Sequence, residues 1–105
     1  QAYDYTLNLY AGHAEASAFK GKTKVQQDVT WQVVRAKPNE KGEYELVTEQ
    51  RAPEPKIMLR EGKYLVIARF GDMWGKQELA VTAGEVAKVK VKLVEDKGIP
   101  VIASK

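Results

Sequence analysis

The stretch Lys63-Tyr64-Leu65-Val66-Ile67-Ala68-Arg69-Phe70 decides how the rest of the chain is read. Successive side chains of an extended strand point to opposite faces, which puts Tyr64, Val66, Ala68 and Phe70 on one side and Leu65, Ile67 and Arg69 on the other. Both sides are largely apolar, as in a strand with neighbours along both edges. Working outward, residues 28–36 (DVTWQVVRA) repeat the pattern, with Val29, Trp31 and Val33 opposed to Thr30, Gln32 and Val34. Trp31 sits in that alternation as a core anchor. Residues 38–43 (PNEKGE) carry proline, asparagine and glycine, the chemistry of a hairpin turn, and lead into a strand over 44–49. Pro53 and Pro55 have no N–H for a ladder and belong at a strand start or an edge, ahead of Ile57 and Leu59.

Downstream, residues 71–75 (GDMWG) read as a glycine-bracketed turn, 76–81 as a strand and 82–85 (TAGE) as a second tight turn. The final strand is predicted over 86–94, where Val89, Val91 and Leu93 alternate with Lys88, Lys90 and Lys92, so the lysines lie on a wet face. At the other end, residues 3–10 alternate Tyr3, Tyr5, Leu7 and Leu9 with Asp4, Thr6 and Asn8 and read as a strand. Residues 11–25 (AGHAEASAFKGKTKV) lose that pattern in small residues and glycines, and are predicted as a long loop or short helical turn. Seven strands with turns between them, and no stretch of roughly ten residues with a helical apolar period, give an all-β fold: an antiparallel sandwich.

Composition fits this architecture. The 105 residues are 44% hydrophobic and 30% charged and include no cysteine, which excludes disulfide scaffolds and thiolate metal sites. No apolar run reaches the length of a transmembrane helix. One domain over residues 1–105 is expected, with 95–105 as a tail or edge strand. The chain opens at Gln1 and enters a strand pattern almost at once, as a trimmed chain does or as a mature chain does after its leader is removed, and the second is the expectation.

The segment Leu59-Arg60-Glu61-Gly62-Lys63-Tyr64-Leu65-Val66-Ile67-Ala68 resembles the tyrosine corner of Greek-key sandwiches, where the hydroxyl ties back to backbone a few residues upstream. With residues 29–33 and the Ala83-Gly84-Glu85 turn, the chain resembles, over about 28–94, bacterial immunoglobulin-like or prealbumin-like modules such as carboxypeptidase-regulatory-like domains. That resemblance implies a Greek-key β-sandwich in a periplasmic or secreted protein. The strand alternation itself places Trp31, Tyr64, Val66 and Phe70 in the structural core. Modules of this kind are typically non-catalytic spacers, binding domains or partner surfaces, and the expectation here is a module that binds or presents a protein partner in the envelope, as a monomer or weak oligomer.

Candidate chemistry is sparse. His13, the single histidine, stands near Glu15 and Ser17, but no motif supplies an oxyanion donor, and a surface role is the expectation. Glu43 and Glu45 fall on one strand face, flanked by Glu40 and Glu49, and do not face each other across a cleft as glycosidase carboxylates do. Asp72 and the pair Glu95-Asp96 lack the dense Asp/Asn/Gly spacing of a calcium loop. No catalytic residue, metal site or cofactor is expected. Met73 and Trp74, in a turn, are the candidate ligand residues: a tryptophan there either presents its ring to a glycan, as in a carbohydrate-binding module, or folds back as a lid on the core edge. Lys88, Lys90 and Lys92, with a second cluster at Lys20, Lys22 and Lys24, form the candidate partner or polyanion surface. Nucleic acid is an unlikely partner because neither arginine forks nor stacking aromatics accompany these lysines. Their expected role is to guard an exposed sheet against pairing with another chain.

Overall fold

A computed structural model describes residues 11–95. They form two packed β-sheets. The strands are β1 (Ala11–Lys20), β2 (Thr23–Lys24), β3 (Val29–Arg35), β4 (Leu46–Ala52), β5 (Lys56–Arg60), β6 (Gly62–Phe70), β7 (Met73–Val81), β8 (Val86–Lys92) and β9 (Val94–Glu95). Sheet B has the order β4-β3-β6-β7-β9, antiparallel throughout. In sheet A, β1 pairs antiparallel with β5 through its first half and with β2 at its end, and parallel with β8 along its other edge. The predicted strand over 3–10 and the residues beyond Glu95, Asp96 included, lie outside the described residues.

The sandwich core takes one face of each sheet. Val29, Trp31 and Val33 from β3 and Tyr64, Val66 and Ala68 from β6 meet Ala14, Ala16 and Ala18 from β1, Ile57 and Leu59 from β5, and Val89 and Val91 from β8. Trp31 is fully buried, and its indole N–H donates to the Ala52 carbonyl at 2.8 Å, so the largest core side chain leaves no polar atom unmet. Tyr64 is buried as well, and its hydroxyl donates to the Arg60 carbonyl at 2.7 Å, the upstream tie expected of a tyrosine corner. The Arg35 guanidinium lies 5.8 Å from the centre of the Tyr64 ring. Phe70, expected in the core, is only half-buried and packs against its margin, because it ends β6 beside the turn at residues 71–72.

Three expectations need correction. Residues 11–25 are not a loop: 11–20 form β1, the middle strand of sheet A, followed by the short β2. Within β1 the buried positions are Gly12, Ala14, Ala16 and Ala18, a strict period of two in residues too small to show as an apolar stripe. Glu43 and Glu45 do not share a strand. β4 starts at Leu46, and the two carboxylates belong to the connection before it. The single terminal strand is two, since the chain leaves sheet A after Lys92 and joins sheet B as β9 beside β7.

The crossover is fixed at Gly75. A Cβ there would stand 2.2 Å from the Lys92 carbonyl oxygen and 2.7 Å from a Val91 methyl, so only glycine lets the two backbones come together. At the opposite end, a Cβ on Gly12 would meet the Thr82 carbonyl and a Val81 methyl, both at 2.6 Å. β7 and β8 therefore approach near Gly75 and are joined at the other end by the 82–85 turn.

Candidate functional site

The register of sheet A determines which side chains share its outer face. Residues paired across neighbouring strands point the same way, so Ala14, Ala16 and Ala18 turn inward with Ala87, Val89 and Val91, and the alternate set turns out. Successive rows across the outer face read Met58–His13–Val86, Lys56–Glu15–Lys88, Ser17–Lys90 and Lys24–Phe19–Lys92. Arg60, opposite Ala11, extends the β5 side. Lys88, Lys90 and Lys92 are all exposed.

The charges on this face do not balance. Lys24, Lys56, Arg60, Lys88, Lys90 and Lys92 stand against Glu15 and Glu54, six cations to two carboxylates or +4, beside a formal +3 for the whole chain. Lys24 is committed to Glu54 at 3.0 Å, with both side chains about half exposed. Among the described residues, Lys88, Lys90 and Lys92 have no carboxylate within ion-pair distance. Even Glu15, in the same row as Lys88, does not close on it. Three lysines therefore stand in line, about 6.6 Å apart along the strand at two residues each, with no carboxylate partner among the described residues.

His13, Glu15 and Ser17 share this face at alternate positions of β1. No hydrogen bond joins their side chains among the described residues, so they do not form the linked nucleophile and base of a hydrolase. The same residues hold no group of three or more His, Asp or Glu side chains arranged to bind a metal ion.

Met73 and Trp74 are placed differently from their prediction. The turn is confined to Gly71 and Asp72, and both residues already belong to β7. Trp74 is 5% exposed and packs with Val34, Leu65 and Ile67 in a second apolar cluster on the outer face of sheet B, flanked by Tyr44 and Leu46. Met73 is half-buried at the core margin. The alternation of β6 already shows Leu65 and Ile67 on this face, but it does not show what covers them: Tyr44 reads as the first residue of a strand, whereas it lies in the connection before β4 and packs on the cluster with Leu46.

The fold and this surface define a two-sheet β-module with a cationic outer face. Residues 20–93 match the Rhizobiales growth-associated tandem repeat domain, and the chain belongs to that family. No curated protein matches the chain. The family match begins at the last residue of β1, so nearly all of the strand at the middle of sheet A lies before it.

Proposed function

We propose that the chain is a non-enzymatic docking module of the bacterial cell envelope, binding a protein partner through the outer face of sheet A. The carrying observation is the row of exposed Lys88, Lys90 and Lys92, which have no ion-pair partner among the described residues, on a face whose charge exceeds that of the whole chain. Such a face attracts an acidic partner over about a Debye length, accelerates encounter and sets orientation. The immunoglobulin-like or prealbumin-like classification, with Greek-key connections, is part of the same proposal. Its support is the Tyr64 hydroxyl bond to Arg60 and the two-sheet core around Trp31. Placement in the envelope follows from the resemblance to modules of secreted proteins.

Affinity capture from an envelope fraction, comparing the wild type with a Lys88→Glu/Lys90→Glu/Lys92→Glu variant, tests the docking face. Specific proteins are expected to drop out of the variant's recovered set. An unchanged set places the interface elsewhere. Fractionation of cells making the full-length protein tests the location, and cytoplasmic recovery alone would overturn it.

A further inference from the structure

We propose that the partner's contacting element is an extended acidic peptide segment that adds to sheet A along β8, with carboxylates at alternate positions facing Lys88 and Lys90 and with Lys92 ending the row. This rests on the docking reading above and gives it a chemistry and a geometry.

Three observations converge on the β8 edge. Among the described residues β8 makes ladder pairs with β1 alone, so its second edge is a template for another strand. That edge borders an open groove of about 440 Å³ between the two sheets, with Gln77 and Leu79 of β7 on one wall and Ala87 and Val89 of β8 on the other. Gln77 shows that the sheets part here: it pairs with Val66 and so points toward the core, yet it is exposed. The groove is bounded by the Gly75–Lys92 approach at one end and the 82–85 turn at the other. Four strand residues, roughly 13 Å, fit between these limits.

The third observation is the charge pattern. Lysines at every second residue repeat at the period with which a strand presents its own side chains to one face, so an added strand bearing Asp or Glu at alternate positions matches them one to one. A second copy of β8 would bring lysine against lysine. The charges that forbid self-pairing thus select an acidic strand, combining repulsion of the wrong partner with attraction of the right one. Recognition by strand addition takes affinity from backbone hydrogen bonds and specificity from alternate side chains.

The test uses isotope-labelled protein and two short peptides of equal composition, one alternating Glu with Thr and one with its Glu residues in a block. Polygalacturonate and phosphatidylglycerol vesicles serve as anionic competitors. The alternating peptide is expected to bind more tightly than the blocked one, with NMR shifts concentrated in 76–81 and 86–92 and slowed amide exchange in β8. Lys88→Glu/Lys90→Glu should weaken it about tenfold, and the milder Lys88→Gln/Lys90→Gln should weaken it less, with dispersed spectra confirming that both variants fold. Equal binding of the two peptides, or shifts spread over sheet A without β7, would overturn the strand mode. Tighter binding of the polysaccharide or the vesicles would overturn the peptide as ligand. If no peptide binds while the triple variant still loses its envelope partners, only this inference falls. If the recovered partners are also unchanged, the docking reading falls with it.

Discussion

β1 and β6 hold equivalent stations, each the middle strand of its sheet with a neighbour on either edge, and they meet that demand with opposite residues. β6 turns Tyr64, Val66 and Ala68 into the core and buries Leu65 and Ile67 on its other face. β1 turns in Gly12, Ala14, Ala16 and Ala18 and leaves Glu15 exposed behind them. Interiors pack at near-crystalline density, so the volume that Trp31 and Tyr64 bring from sheet B has to be matched by small side chains across the gap. Central position in a sheet is therefore not the same property as hydrophobic content. One strand adds bulk to the core, and the other supplies room for it.

The comparison is broken most severely by removing β1. A chain trimmed to begin at residue 20, the start of the family match, leaves β5 and β8 without their shared neighbour and exposes the alanine-facing side of the core. It is expected to show no cooperative thermal transition by circular dichroism, and a normal transition would mean that β1 is dispensable. Within the intact fold, Val66→Ala deletes volume from the bulky side and is expected to destabilise by about 2–3 kcal/mol in urea unfolding. Ala16→Leu adds volume on the small side and should cost about 1–3 kcal/mol by overpacking. If Ala16→Leu were neutral, the small residues of β1 would not be set by the bulk facing them. The smallest effect belongs to Tyr64→Phe, about 1 kcal/mol, through loss of the hydroxyl bond to Arg60. A negligible change would reduce the tyrosine corner to a packing contact.

The same contrast explains what was legible. β3 and β6 were readable because β-branched and aromatic residues alternate there, and the tyrosine corner was readable because its glycine and tyrosine are spaced by local geometry. β1 was opaque because alanine is depleted in strands on average and because its small side chains are buried in a core whose bulk comes from other strands, which no local pattern reveals. Trp74 misled for a related reason: flanking glycines signalled a turn, but Gly75 serves the crossing of two backbones. The lysine row of β8 was plain in the sequence. Its companions Lys56 and Arg60 were not, since they reach the same face only through the β1–β5 register.

The parallel pairing of β1 with β8 carries a mechanical consequence. Both strands start at the end of the module that holds the 82–85 turn and finish together where Phe19 pairs with Lys92. The chain thus comes into β1 at one end of the sandwich and leaves β8 at the other. A force pulling the module from those two ends draws the strands past each other along their length, so the ladder from His13–Val86 to Phe19–Lys92 is loaded all at once rather than peeled open bond by bond. A load applied at those two points would therefore meet the β1–β8 ladder in shear.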